Sequence, residues 1–337
     1  MKQVTCVLSG ILGNRTLSAR LAEAVDRCSG PCKRLWFDVD VYRRHPAPAW
    51  LRRLSVYESE WVARRWLREQ RIAGAAVVNG LTLALACPTR PLIVATDQTP
   101  ALRWGSLKRR LVMSSLNARF RRLASEVTAW LPTSAAVARS LIEDYNVTPE
   151  RCFITRAPQP FIEPRPHAPT GAVLFVGNDF RRKGGFELLE AFERRLLPEC
   201  RLLIVSNDPS LATLRLPEGV RVLRGVHDPR DLAPVYRESD LLVLPSRFDC
   251  YSNVICEAAA YGVPSLATRV GGIGELLDEC GGCSLPEGCN AAAIAAGIRE
   301  ALGPAYASRA EAAACFAREK LTLSVFDATL RGALQRL

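Results

Sequence analysis

Residues 173–192 read VLFVGNDFRRKGGFELLEAF. Four apolar residues, Val173 to Val176, run without alternation into Gly177, a polar loop follows, and helical spacing takes over from Gly185. An unbroken apolar run fits a strand buried on both faces. The change of period after a polar loop makes the whole a strand–loop–helix unit of a parallel sheet. Arg181, Arg182 and Lys183 then stand at the junction, where free backbone N–H groups and the helix dipole favour an anion. Positive side chains at such a place suit a diphosphate. The glycine spacing is neither that of a Walker loop nor that of a dinucleotide fingerprint. Taken alone, a solvated basic turn is an equal reading.

The same alternation extends outward on both sides. Before it come VTCVLSGI, RLWFDVDVY, AAVVNG, RPLIVATD and VTAWLPTS as strands, separated by helical stretches; after it come RLLIVSND, VRVLRGV, DLLVLPS and PSLATR, also separated by helices. Between the halves lies APQPFIEPRPHAPT, with prolines at 158, 160, 164, 166 and 169. That density disfavours helix and ladder pairing alike and reads as a linker. The expected organisation is an N-terminal Rossmann-like domain over 1–160, a linker over 161–170 and a second Rossmann-like domain over 171–320. A final helix over 321–337 is expected to pack back toward the first domain. Two doubly wound α/β domains would face a central cleft, with ligands beyond the carboxyl ends of the strands.

Residues 246–277, SRFDCYSNVICEAAAYGVPSLATRVGGIGELL, follow the strand DLLVLPS. Ser252 and Asn253 are favoured N-cap types for the helix that follows. Asp249 precedes that helix, Glu257 lies about a turn inside it, and the Gly271–Gly272 turn brings backbone N–H groups near the same place. Carboxylates can accept sugar hydroxyls; cationic and dipolar groups hold phosphate. Together they describe a pocket for a nucleotide sugar, although Glu257 alone would pass for an ordinary helix acid.

With these residues in place, 172 to about 305 resembles the donor-binding domain of retaining GT-B glycosyltransferases of the family 4 type. The elements that carry the resemblance are GNDFRRKG, LLVLPS, the acids Asp249 and Glu257, EAAAYGVPSLAT and VGGIGELL; FDCYSNVICEA is most similar to the lipopolysaccharide-core glucosyltransferase subgroup. The resemblance implies that Glu257 binds the nucleotide ribose and that Arg182 and Lys183 neutralise the diphosphate. It also implies that Asp249 faces the donor sugar, that Tyr251, Ser252 and Asn253 line the sugar-phosphate position, and that Gly177, Asn178 and Val226 complete the donor set. The family usually has Glu where this chain has Asp249. Where a histidine often follows the fourth or fifth strand, the chain reads VATDQTP, which makes Asp97, beside Gln98, the catalytic candidate of the first half. The family's reaction runs on one face of the sugar, with the leaving phosphate helping to deprotonate the acceptor, so positioning and electrostatics dominate. No Asp-x-Asp metal signature occurs in a plausible donor loop, and neither a metal nor a cofactor is expected beyond the donor itself.

Composition sets the limits. The 337 residues are 48% hydrophobic and 23% charged, enough for two cores. No apolar run reaches the roughly 18 residues of a membrane span, and the N-terminus reads as a strand rather than a signal peptide. The 12 cysteines include Cys28/Cys32 and Cys280/Cys283 at metal-like spacing, but with only three histidines, none near another ligand candidate, they read as reduced thiols of a cytoplasmic chain. Charge is lopsided: residues 1–165 hold 26 Lys+Arg against 13 Asp+Glu, whereas 166–337 hold 19 against 21. The helical stretch from Trp104 to Leu123 carries Lys108, Arg110, Arg119, Arg121 and Arg122 beside one apolar face. It is either an ordinary packed surface helix or a peripheral contact for the anionic inner face of a membrane. No RNA-binding aromatic motif is present, and nucleic acid is not an expected partner.

The leading reading is a retaining hexosyltransferase. It would move sugar from a nucleotide-diphosphate donor to a cell-envelope polysaccharide, lipopolysaccharide or glycolipid-type acceptor. The alternatives are another enzyme of the same architecture, a nucleotide-sugar epimerase or phosphorylase, and a non-catalytic nucleotide-sugar binder.

Overall fold

The computed structural model describes residues 4–10, 15–48, 55–70, 72, 74–103, 107–163, 168–226 and 229–337. Most of the first loop SGILGN, Trp104 at the head of the basic helix, and Pro164 and Pro166 of the proline-rich stretch lie outside them. The chain divides into two compact units, residues 1–158 with 323–337, and residues 159–322.

In the first unit the order is β1 (Val4–Ser9), α1 (Arg15–Ser29), β2 (Lys33–Phe37), α2 (Val39–Arg44), α3 (Ser55–Glu69), β3 (Ala75–Asn79), α4 (Leu81–Ala86), β4 (Leu92–Thr96), α5 (Pro100–Arg103), α6 (Leu107–Glu126), β5 (Ala129–Pro132) and α7 (Ala135–Tyr145). The strands form one parallel sheet in the order β2-β1-β3-β4-β5. Successive side chains of a strand point to opposite faces, and both faces are covered. Val7, Val78, Val94 and Trp130 enter one core with α3, α4 and α6. Cys6, Leu8, Val77, Ile93 and Leu131 enter another with α1. Two-sided burial is why these strands read as unbroken apolar runs.

The second unit runs β6 (Ala172–Val176), α8 (Gly185–Ala191), β7 (Arg201–Val205), β8 (Val220–Leu223), α9 (Ala233–Arg237), β9 (Leu241–Leu244), α10 (Asn253–Ala259), β10 (Ser265–Thr268), α11 (Ile273–Cys280), β11 (Cys283–Leu285), α12 (Ala291–Ala301) and α13 (Tyr306–Lys320). Its sheet is again all parallel, in the order β11-β10-β9-β6-β7-β8. Strand order reverses direction on either side of β6, and the loops after β6 and β9 therefore emerge side by side at one edge.

Where it is described, the proline-rich segment is fastened to this second unit. The Gln159 N–H donates to Leu321 O at 2.9 Å, the Ile162 N–H to Ala260 O at 3.0 Å, and Arg318 sits 5.5 Å over the Phe161 ring. Missing N–H groups on the prolines do not prevent the residues between them from bonding. The last helix, α14 (Leu323–Leu334), belongs to the first unit, burying Phe326, Leu330 and Ala333 against the α1 face. Arg27 of α1 holds Asp327 through two bonds of 2.7 Å.

The basic helix α6 is tied inward. Leu116, Phe120 and Leu123 are buried, and Arg119 pairs with Glu60 of α3, itself only 3% exposed. Arg122 pairs with Glu126 at 3.1 Å, and Arg121 lies 5.8 Å over the Tyr145 ring. Arg119, Arg121 and Arg122 thus have protein partners, as the packed-surface-helix reading of this stretch expects. Among the described residues no helix is long and apolar enough to cross a membrane.

Candidate donor site

The candidate site of the second unit is built from two strand–loop–helix junctions. After β6, the loop from Gly177 to Gly184 carries Asn178, Arg181, Arg182 and Lys183; after β9, residues 245–252 lead into α10 with Asp249. The loops are laced together: the Arg247 N–H donates to Arg182 O at 2.9 Å, and Arg182 Nη1 donates to Phe248 O at 2.5 Å. The guanidinium of Arg182 also donates through Nε to Asp179 Oδ2 at 2.8 Å. Arg182, expected to neutralise a diphosphate, is therefore a brace between the loops in this structure. Arg181 lies 4.9 Å over the Phe186 ring.

Lys183 and Asp249 meet across the junction, Nζ to Oδ2 at 3.3 Å, with side chains only 14% and 13% exposed. Two glycines make room for this pair. A Cβ on Gly177 would strike the Lys183 stem, so the bare backbone there lets the lysine lie across it. Gly271, after β10, has φ +57° and would drive a Cβ into Asp249 O; its neighbour Gly272 donates its N–H to Cys250 O at 2.8 Å. The Gly-Gly turn thus supports the Asp249 loop from below, at a φ that L side chains rarely adopt.

Glu257 lies one turn into α10 and accepts a 2.8 Å hydrogen bond from Tyr236 Oη on α9. Burial pushes its carboxyl above the usual range, opposed first by the Tyr236 bond and then by the positive charge of Lys183. Tyr236 is itself buried, and desolvation followed by the charge of Glu257 raises its hydroxyl well above the ordinary value, so it stays a donor.

Ser252 occupies the N-cap position of α10 but makes no capping bond, and its buried Oγ, like that of Ser246, has no hydrogen-bond partner among the described residues. Tyr251, expected to line the sugar-phosphate position, packs its ring in the core at 6% exposure, with its hydroxyl 3.2 Å from Cys256 Sγ. Large apolar area outweighs the single hydroxyl there. Asn253 begins α10. Asn178 Oδ1 accepts from the Asn207 N–H at 2.9 Å, and Asn207 Oδ1 accepts from the Gly225 N–H at 2.7 Å. That chain links the loops after β6, β7 and β8 and sets the place of Val226, which is half-buried against the core. Asp97 belongs to the first unit, just beyond β4, in a turn where Thr96 Oγ1 donates to Gln98 O at 2.7 Å. Tyr236 and the ion pair between Arg247 and Glu187 do not show in the sequence. Neither has a local signal; both depend on residues far apart in the chain.

Residues 170–303 match the family described as glycosyl transferases group 1. Among curated proteins, the chain is 31% identical over 192 residues to glycogen synthase of Mycobacterium tuberculosis, an overlap of 54% of this chain and 45% of that one. The chain thus spans under half the length of that relative. Among solved structures, the HepE protein of Anabaena in complex with UDP and glucose superposes with a TM-score of 0.71 at 16% identity, covering all of both chains. WaaG, described as a glycosyltransferase involved in lipopolysaccharide biosynthesis, gives 0.66 at 18% identity, covering 98% of each. At such identities the likeness is one of fold. Residues 170–303 are thus similar to group 1 glycosyl transferases, and the two parallel-sheet units have the GT-B fold of these solved structures, as the resemblance to family 4-type glycosyltransferases implies.

Proposed function

We propose that the protein is a retaining, metal-independent glycosyltransferase. On this reading it moves a hexose from a nucleotide-diphosphate sugar to a cell-envelope polysaccharide, lipopolysaccharide or glycolipid-type acceptor. The observation that carries this reading is the Lys183–Asp249 pair set beside Glu257 at the strand ends of a unit similar to group 1 glycosyl transferases. Lys183 is the cation for the departing diphosphate, and a fixed charge in a nearly dry site costs no reorganisation as charge develops. Glu257 takes the ribose hydroxyls and Asp249 the donor sugar, with Ser252 and Asn253 around the sugar phosphate and the Tyr251 ring packed in the core beneath them. The bond from the anomeric carbon to the diphosphate breaks, the acceptor oxygen bonds to that carbon on the same face, and its proton passes to a diphosphate oxygen. Asp97 is the first unit's candidate on the acceptor side. The UDP and glucose in the HepE complex support a nucleotide-sugar donor, and the lipopolysaccharide role of WaaG supports an envelope acceptor.

Work at the cytoplasmic face of a membrane is part of the proposal, supported by the 26 basic against 13 acidic residues of 1–165. The test is nucleotide release from UDP-glucose, GDP-mannose and ADP-glucose, with and without saccharide and glycolipid acceptors. Repeating it in chelator tests metal independence, and the anomeric configuration of the product tests retention. Absence of release with every donor, while nucleotide still binds, would favour the non-catalytic binder.

A further inference from the structure

Glu257 is held by a residue that the sequence motif does not contain. Tyr236 sits on the short helix α9, fully enclosed, and its hydroxyl reaches Glu257 Oε2 at 2.8 Å. Its ring stacks on Tyr261 at 5.4 Å and 18°, and Arg237 lies 5.8 Å over the far ring. The phenol is thereby clamped, and its O–H has a single strong acceptor in the carboxylate. A carboxylate oxygen carries two lone pairs. The Tyr236 bond uses one of the four on Glu257 and pins Oε2 in place.

We propose that Tyr236 is a positioning residue for the donor site: its hydroxyl fixes one oxygen of Glu257 so that the remaining lone pairs meet the two ribose hydroxyls of the nucleotide. The inference rests on the donor-site reading given above. Burial alone would leave the carboxyl free to rotate and ready to protonate. Among the described residues, three charged or titratable groups face Glu257: Tyr236 from α9, Lys183 from the loop after β6, and Tyr261 just beyond α10. Lys183 is shared with Asp249, and burial, with the charge of Glu257 adding to it, raises the hydroxyls of both Tyr261 and Tyr236. Tyr236 is thus the neighbour whose hydrogen bond favours the ionised, oriented carboxylate.

The experiment measures the affinity of the full chain for UDP, GDP and ADP and for their 2′,3′-dideoxy forms, at pH 6 and pH 8, by calorimetry. Wild type is expected to prefer the ribose form of its nucleotide by roughly tenfold or more, the scale of hydrogen bonds to a charged group. Tyr236→Phe keeps the stacked ring. It should lose most of that preference, and more of it at pH 6 than at pH 8, with dideoxy affinity unchanged. In a Glu257→Ala background the same change should add nothing. A variant carrying 3-fluorotyrosine at 236 retains shape and O–H with a more acidic donor, and is expected to keep the preference down to lower pH than wild type. That comparison stands even where Tyr236→Phe does not fold. Full ribose preference in Tyr236→Phe at both pH values, or a further loss in the Glu257→Ala background, overturns the positioning role and leaves the donor site intact. Equal binding of ribose and dideoxy forms by wild type overturns the placement of ribose at Glu257, and this inference with it.

Discussion

Lys183 and Asp249 reach each other from different strand–loop–helix junctions, Nζ to Oδ2 at 3.3 Å, in a place that excludes most water from both. Neither charge is isolated. The lysine also faces Glu257, whose carboxyl it helps keep ionised, so one cation serves two carboxylates. A diphosphate arriving there would compete for a lysine already held in position, and removing it would leave Asp249 nearly buried without its counter-charge. Lys183→Ala is therefore expected to lower turnover by about 10²–10³, as for other preorganised electrostatic donors. Gly177→Ala should mimic it: the added methyl meets the lysine stem and moves Nζ, so turnover falls and, with Asp249 deprived of its counter-charge, the melting temperature falls as well. Steady-state kinetics with thermal melts of both variants check this. Normal turnover in Lys183→Ala would transfer the role to Arg181 or Arg182.

Glu257 links stability to pH. Burial raises its carboxyl above the unfolded value, so the folded state binds its proton more tightly than the unfolded chain does. That contribution is fully present below the unfolded pKa and is lost as pH rises through the folded pKa, beyond which the buried charge is a net cost. Glu257→Gln removes the charge. Its melting temperature relative to wild type should therefore be higher at pH 8 than at pH 4, while nucleotide affinity falls roughly tenfold or more. A melting difference that is flat between these pH values would mean that the carboxyl does not titrate differently on folding.

The parallel sheets are legible in the sequence because their cause is local. Strands such as Val173–Val176 and Leu241–Leu244 are buried on both faces and read as apolar runs, and the helices beside them read by their period. Loops at strand ends are legible for the same reason, which puts Lys183 and Asp249 on the page as candidates. What the candidates touch is not local. Arg182 finds Phe248 O, Arg119 finds Glu60, and Glu257 finds Tyr236, in each case through packing of elements well apart in the chain. Tyr251 shows the converse: its place in a motif loop suggested a polar role, but its ring area sends it to the core.

The closing helix offers a test confined to the first unit. Phe326 is buried among Leu330, Ala333 and the α1 face, and Arg27–Asp327 fastens the same helix at the surface. Phe326→Ala should cost about 3–5 kcal/mol through lost contact and cavity, whereas Asp327→Asn, at a partly exposed pair, should cost about 1 kcal/mol or less. Chemical denaturation monitored by tryptophan fluorescence would measure both, and a larger loss for Asp327→Asn would reverse this ranking.

The arginines of α6 separate membrane attraction from packing. Arg119 is the counter-ion of Glu60, which is nearly buried and is otherwise held by Arg64 Nε at 2.8 Å; Arg122 is largely exposed and pairs within its own helix. Leaving a buried charge uncompensated costs about 3–5 kcal/mol. With Arg64 still in place, Arg119→Gln should cost about 1–3 kcal/mol, and Arg122→Gln almost nothing. A vesicle experiment that replaced all three arginines would therefore confuse unfolding with lost attraction. Arg121→Gln and Arg122→Gln together form the informative variant, since each basic residue near an anionic surface contributes about 1 kcal/mol, and salt screens that attraction. If the first unit meets a membrane through α6, cosedimentation with phosphatidylserine vesicles should fall by about ten- to thirtyfold in affinity for this double variant, and fall for wild type as salt is added. Binding that ignores both lipid charge and these substitutions would assign the basic half to a soluble, negatively charged acceptor.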